Sequence, residues 1–195
     1  AGETGAHLQR TKRYCAVLAE DLRLHHPDLG LTEQMVNDIA NLSVFHDIGK
    51  KALPDGLLNK RGRLLEQEYQ IVKEHAETGG AILKNLYQQT GSVFLLLGYD
   101  IAIAHHERWD GTGYPAGLKG EEIPLAGRIM AFADVFDALL CKRPYKDHFS
   151  LSYAEVYIEQ EKAKHFDPII VESYGRVKDK FLEIHNSIQE LNGNW

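Results

Sequence analysis

Apolar residues recur at helical intervals through most of the 195-residue chain, and this periodicity constrains the fold more than any other feature of the sequence. The first such segment runs from Leu8 to the neighbourhood of Pro27, where proline disfavours continuation. A second begins after Thr32, a suitable N-cap, and carries His46 and Asp47 at its end. Further helices are predicted over residues 66–88, 124–140, 151–164 and 168–190, the last three opening near Pro124, Ser150 and Pro168.

Residues 92–107 are ambiguous, because their apolar runs fit a buried strand as well as a helix. We favour a helix, since no other segment offers a strand to pair with this one. Residues 108–122 differ from their neighbours, because five glycine and proline positions mark a turn-rich loop: Gly111, Gly113, Pro115, Gly117 and Gly120. Without an internal repeat or linker, and with 44% hydrophobic residues, the chain is predicted to be one all-α domain over residues 1–195.

The balance of charged residues limits the kinds of molecule that the chain is expected to bind. With 22 Lys and Arg against 28 Asp and Glu, the net charge of -6 excludes a general cationic surface for long nucleic acid. A small anionic substrate would therefore need metal ions or a local basic cluster. No apolar run approaches the roughly 20 residues that a membrane helix needs, so no membrane insertion by this segment is expected.

The two cysteines, Cys15 and Cys141, lie far apart and form no CxxC motif. Neither a disulfide framework nor a thiolate zinc site is indicated, and a reducing, cytoplasmic setting is expected. The chain opens at Ala1 without an initiator methionine, which we interpret as a fragment of a longer protein with an upstream regulatory part.

Imidazole and carboxylate side chains occur along the predicted helices in an ordered set: Glu3, His7, His46, Asp47, His75, His105, His106 and Asp134. Such ligands without thiolate suit Fe, Mn, Ni or Zn at a hydrolytic site. Glu3 and His7 are four residues apart and project from one helix face. Sequence neighbours such as His46 and Asp47 can face one centre only if it is large, as two metals sharing an aspartate would be.

A simpler interpretation stays open for each histidine, because a single buried histidine is usually a hydrogen-bonded core residue. His46 and His75 lie in apolar helical patterns that fit this alternative. Asp47 and Asp134 weigh against it, since each lies among apolar residues and a carboxylate is rarely buried without a partner. A metal ion is a natural partner for both.

Six strings carry a family resemblance, in this order: Glu3–His7, His46–Lys50, His75, His105–Pro115, Asp134–Leu139 and Arg143–Lys146. In these strings the sequence resembles the HD-GYP family, a branch of the HD phosphohydrolase superfamily. The long string from His105 to Pro115 is highly specific, whereas a bare His-Asp doublet would not be. The match extends over nearly the whole chain.

The resemblance implies a compact single-domain helical bundle of the HD phosphohydrolase type with about seven helices. It implies a bacterial phosphodiesterase that opens cyclic di-GMP to pGpG and then GMP. Phosphodiesterase activity on 3′3′-cyclic GMP-AMP is an alternative, as are another HD phosphohydrolase activity and a catalytically silent module that binds the dinucleotide or a protein. A regulatory domain, a signalling protein and a second copy of the chain are further expected partners.

The resemblance also implies roles for individual residues. The ligands of two metals would be His46, Asp47, His75, His105, His106 and Asp134, with Asp47 as the bridge. Glu3 and His7 match N-terminal ligand positions, and Glu3 is associated with a third metal. The implied cofactors are thus two or three divalent transition metal ions, Fe or Mn first and Ni or Zn as alternatives.

Further positions are predicted to act on the substrate. Lys50, Arg143 and Lys146 resemble phosphate-contacting residues, and solvated surface charge is the alternative for the last two. Lys50 would also stabilise charge that develops during hydrolysis. Gly113 and Tyr114 either shape the substrate pocket or form a rigid turn. Asp137 is expected to orient a metal ligand or the attacking water.

Overall fold

The computed structural model describes residues 5–60, 62–141 and 150–188, and within these ranges the regular structure is helical. The α-helices are α1 Gly5–His25, α2 Glu33–Leu42, α3 Asp55–Leu58, α4 Glu66–Thr90, α5 Phe94–Ala104, α6 Leu125–Leu140, α7 Leu151–Gln160 and α8 Pro168–Ser187. Short 3₁₀ helices cover Pro27–Leu29, Ser43–Phe45, Ile48–Ala52 and Gly120–Glu122. The all-α fold class is confirmed, and the ambiguous segment after residue 92 contains helix α5 rather than a strand.

Capping side chains start two helices where the sequence predicts. The Thr32 hydroxyl accepts a hydrogen bond from the Met35 N–H at 3.2 Å, and Ser150 does the same for Tyr153 at 3.2 Å. Pro168 occupies the first turn of α8, where its missing N–H costs nothing. These local signals explain why the predicted helix starts agree with the structure.

Two predicted helix ends lie four residues or more from the observed ends. Helix α2 ends at Leu42, before His46 and Asp47, because the Ser43 hydroxyl donates to the Ala40 carbonyl and the backbone tightens into a 3₁₀ turn. Helix α7 ends at Gln160 rather than at residue 164. There the backbone turns through Ala163 at a positive φ of 62°, and its N–H donates to Phe166 O at 2.9 Å.

An aromatic core holds α1, α6 and α8 together. Tyr14 stacks on Phe181 at 4.5 Å between ring centroids, and Phe136 meets Phe181 edge to face at 5.0 Å. These three side chains are fully buried, together with Leu18 and Leu22 of α1. No helix in the described ranges is both long and apolar enough to cross a membrane.

The 3₁₀ helix after Asp47 packs directly on α4 through glycine. A Cβ at Gly49 would overlap the carbonyl of His75 and would lie 2.6 Å from the Gly79 N atom. Only glycine therefore permits the approach that brings Asp47 beside His75. This contact positions two elements of the site against each other.

We predict that Gly49→Ala lowers the free energy of unfolding by about 1–3 kcal/mol, because the added methyl group overlaps backbone that cannot rotate away. Urea denaturation would measure the change. Gly56→Ala is the matched control, since a Cβ at Gly56 has nothing within 4 Å. Equal stability of the two variants would contradict the proposed backbone contact.

Candidate metal centre

Seven of the predicted ligands come together from separate elements of the fold. Their ligand atoms form two groups, each with all its members within 4.8 Å of one another. The first, here the His75 group, contains Asp47, His75, His105 and His106. The second, the His7 group, contains His7, His46 and Asp134. Helices α1, α4 and α6, the end of α5 and the 3₁₀ segment after α2 each contribute to this centre.

Asp47 joins the two groups through its two carboxylate oxygens. Its Oδ1 lies 3.0 Å from Nε2 of His75 and 3.6 Å from Nε2 of His105. Its Oδ2 lies 3.5 Å from Nε2 of His46, a member of the other group. With Asp47 buried at 9% exposure, this is the arrangement expected of a bridging carboxylate.

Backbone carbonyls orient three of the imidazoles. Nδ1 of His46 lies 2.8 Å from Ser43 O, Nδ1 of His75 lies 2.6 Å from Val72 O, and Nδ1 of His105 lies 2.9 Å from Ala102 O. A carbonyl can only accept, so each Nδ1 carries the proton in these hydrogen bonds. Nε2 then directs a lone pair into the centre, as a metal ligand requires.

Burial favours the neutral form of the paired histidines. It lowers the pKa of His105, although the nearby carboxylate of Asp47 acts in the opposite direction. The pKa of His106 falls well below its ordinary value because of burial and of the neighbouring His105 and His75. Both imidazoles are therefore in the state that binds a cation.

Lys50 lies beside the shared carboxylate. Its ammonium contacts Oδ2 of Asp47, the oxygen that faces the His7 group. The Lys50 side chain is 31% exposed, whereas that of Asp47 is 7% exposed. A positive charge thus reaches from solvent to the edge of the centre, where the sequence predicts a phosphate contact.

Asp137 lies behind His7. Its Oδ2 accepts a hydrogen bond from His7 Nδ1 at 2.9 Å, while His7 Nε2 points toward Asp134 Oδ1 at 3.6 Å. The geometry therefore favours the first of the two predicted roles for Asp137, the orientation of a ligand. This carboxylate–histidine pair is a common outer arrangement in metal sites.

Arg10 holds Asp137 in place and was not identified from the sequence. Its Nε and Nη2 atoms donate to the two oxygens of Asp137 at 2.6 and 2.9 Å, and both side chains are 2% exposed. Burial raises the pKa of Asp137, but the hydrogen bonds from His7 and Arg10 outweigh it and the net pKa is lowered. The sequence signal that could have indicated this role is the position of Arg10, a charged residue one helical turn after His7 on the face that carries apolar residues.

A further group of ligand-type side chains, Asp137, Cys141 and His185, lies next to this pair. Arg10 also donates to the Cys141 sulfur at 2.9 Å. A guanidinium inside the group opposes the binding of another cation there, so we do not assign a metal to it.

Glu107 anchors the turn-rich loop of residues 108–122, here called the glycine-rich loop. This role of Glu107 was not identified from the sequence. This buried carboxylate accepts hydrogen bonds from the N–H groups of Ala116 at 2.8 Å and Leu118 at 3.0 Å. A Cβ at Gly113 would lie 2.5 Å from the Cα atom of Glu107. The loop's own packing thus requires glycine at 113, and contact with substrate stays a prediction.

Tyr114 connects this loop to the centre. Its ring stacks on His106 with 4.8 Å between centroids and 26° between planes. Burial is the main cause that raises the pKa of the Tyr114 hydroxyl, so it remains protonated and able to donate. Its predicted substrate contact is compatible with this position beside a ligand.

Three predicted residues, Glu3, Arg143 and Lys146, lie outside the described ranges. The third metal site and two of the phosphate contacts therefore stay predictions. Of the metal ligands, Glu3 is the one that falls outside.

Comparison with known proteins gives consistent matches. Residues 4–170 match the sequence profile of the HD domain family. A cyclic di-GMP phosphodiesterase of Vibrio cholerae is 44% identical over 185 residues, which cover 93% of this chain and 37% of the relative. A 3′3′-cGAMP-specific phosphodiesterase 2 of the same organism is 42% identical over 188 residues, or 96% of this chain and 34% of the relative. The chain thus spans little more than a third of either relative.

Solved structures support the fold. The crystal structure of a cyclic GMP-AMP specific phosphodiesterase of Vibrio cholerae matches 91% of this chain and 48% of its own, with a TM-score of 0.61. At 19% sequence identity this likeness is evidence for the helical fold alone. The profile match over most of the chain confirms the resemblance to HD proteins that the sequence strings indicated.

We predict that Asp47→Ala lowers metal affinity by more than about 100-fold, beyond the 10–100-fold typical for loss of an outer partner. The reason is that one residue serves both ligand groups. Metal analysis of anaerobically prepared protein would measure the change, with the exposed Asp28→Ala as control. Undiminished metal content in Asp47→Ala would contradict a two-metal centre.

For Asp137→Asn we expect about 10–100-fold weaker metal binding at the His7 group, because the orienting carboxylate and its charge are lost. Metal titration would measure this affinity. Asp167→Asn is the matched control, since Asp167 is also buried and pairs with an arginine, Arg128, at 2.5 Å. Both variants should be less stable, and equal metal affinity in both would refute the orienting role.

Proposed function

The chain belongs to the HD domain family, and on that premise we propose that it is a metal-dependent phosphodiesterase that hydrolyses a cyclic dinucleotide. The observation that carries the proposal is Asp47, which faces one ligand group with each oxygen. The two groups share this carboxylate, and a pair of divalent cations held by them would supply the chemistry that cleaves a phosphodiester.

The ligand chemistry supports two divalent transition metals. Histidine nitrogens and carboxylate oxygens, without thiolate, suit Fe or Mn and also Ni or Zn. The inward Nε2 lone pairs of His46, His75 and His105 are already oriented for coordination. A third metal at Glu3 and His7 is part of the proposal.

When bound, the metals would acidify a water and polarise a phosphoryl oxygen. The chain itself supplies the orientation: Asp47 holds the two groups together, and Asp137 directs His7. The ammonium of Lys50 lies where it can stabilise negative charge that develops on the phosphoryl oxygens. Arg143 and Lys146 would add phosphate contacts.

Cyclic di-GMP is the proposed substrate, opened to pGpG and then to GMP. The names of the relatives support a cyclic dinucleotide, and they include both cyclic di-GMP and 3′3′-cGAMP phosphodiesterases. The alternative of 3′3′-cGAMP therefore stays open. We also propose that the chain acts in the bacterial cytoplasm, under an upstream regulatory domain or partner, and that it forms a homodimer.

Product chromatography tests this function. Protein loaded anaerobically with Fe²⁺ or Mn²⁺ should convert cyclic di-GMP to pGpG and GMP, and removal of the metal by a chelator should abolish conversion. Asp47→Ala serves as the inactive control. If the metal-loaded protein binds cyclic di-GMP and 3′3′-cGAMP without cleaving either, the chain is a binding module instead.

A further inference from the structure

A lysine lies between two tyrosine rings at the edge of the centre. The Nζ atom of Lys73 is 5.2 Å from the ring centroid of Tyr69 and 5.5 Å from that of Tyr114. Tyr69 and Lys73 are four residues apart on α4 and share one face, while Tyr114 comes from the glycine-rich loop. We refer to these three residues as the Tyr–Lys–Tyr cluster.

The cluster adjoins the His75 group through His106. Tyr114 stacks on the His106 ring at 4.8 Å, so the ammonium of Lys73 lies one aromatic ring away from a metal ligand. Tyr69 is 43% exposed, and Lys73 is partly exposed. The ring of Tyr69 and the ammonium of Lys73 therefore face partly into solvent beside the metal centre.

The ammonium of Lys73 has different contacts from those of Lys50 and Lys60. Lys50 contacts Asp47 and Lys60 contacts Glu68, but within the described ranges Lys73 forms no ion pair with a carboxylate. Its contacts in the described ranges include the two ring faces, which attract a cation without neutralising it. The hydrogen-bond donors of this ammonium are thus available to a ligand.

The surroundings favour a nucleobase over a phosphate. The faces of aromatic rings carry partial negative charge, which repels an anion beside the ammonium. A flat, uncharged base instead stacks on tyrosine, and such stacking is a common source of affinity for nucleotides. The cluster therefore has the chemistry of a base site rather than of a phosphate site.

An ammonium also discriminates between purines. It can only donate hydrogen bonds, and guanine presents two adjacent acceptors, O6 and N7. Adenine presents N7 beside an amino group, which is itself a donor and conflicts with the ammonium. A lysine at the base edge thus favours guanine.

We propose that the Tyr–Lys–Tyr cluster binds a guanine base of the substrate and sets a preference for guanine over adenine at that position. The inference rests on the proposed function, because the scissile phosphodiester at the metal centre places a base within reach of the cluster. Tyr69 supplies a stacking face, and Lys73 donates to O6 and N7.

Steady-state kinetics of the metal-loaded chain on cyclic di-GMP and cyclic di-AMP test the preference. The parent should favour cyclic di-GMP, and Lys73→Met should reduce the ratio of the two kcat/KM values about tenfold. Lys84→Met is the matched control, since Lys84 lies on the same helix and over another tyrosine, Tyr99, at 5.7 Å. It should leave the ratio within about twofold of the parent.

Binding of GMP and AMP, measured by calorimetry, separates this inference from the proposed function. The two ligands carry the same phosphate, so their difference in affinity reports the base alone. Preference for GMP in the parent and its loss in Lys73→Met would support the cluster even if no cyclic dinucleotide were cleaved. Equal weakening of both ligands would assign Lys73 to phosphate, and unchanged binding would assign it no role; either result overturns the proposal.

Discussion

The burial of the Asp47 carboxylate is the constraint on which the rest of the site depends. A charged group taken out of water must be compensated by partners with opposite charge or by hydrogen-bond donors. Here Lys50 contacts Oδ2, and the imidazoles of His46, His75 and His105 surround both oxygens. Divalent cations held by the two groups would supply the compensation that histidines alone provide only when protonated.

The fold brings this arrangement about through close backbone contacts and oriented side chains. Glycine at position 49 lets the segment after Asp47 approach α4, which carries His75. Carbonyls of Ser43, Val72 and Ala102 then set the direction of three imidazoles. These contacts restrict the orientations open to the imidazoles, which reduces the cost of ordering them when a ligand binds.

Two further buried carboxylates, those of Asp137 and Glu107, are also compensated by hydrogen-bond donors. Arg10 donates to Asp137, and Asp137 accepts from His7. The guanidinium of Arg10 thus helps to orient His7, one turn earlier on α1, through the Asp137 carboxylate of α6. Glu107 organises the glycine-rich loop by accepting from two backbone N–H groups. That loop presents Tyr114 to His106 and to Lys73, which connects the metal centre to the proposed base site.

The sequence by itself determined the helical class and the helix starts at Thr32, Ser150 and Pro168, because capping and periodicity are local properties. It also supplied the set of candidate ligands, since residue type and spacing are read directly from the chain. The sequence predicted the end of α2 wrongly. The apolar pattern continues past Leu42, but the hydrogen bond from the Ser43 hydroxyl to the Ala40 carbonyl ends the α-helix there. Only the tertiary structure decided which ligands share a group.

Arg10, Glu107 and Lys73 illustrate why these assignments need the fold. Arg10 meets Asp137 across 127 positions, and nothing local to either residue indicates the other. Lys73 and Tyr114 meet because a helix and a loop pack together, and a charged residue on an amphipathic helix otherwise suggests only a solvated face. Contacts between residues distant in sequence depend on how the helices and loops pack, whereas residue type and spacing can be read from the sequence alone.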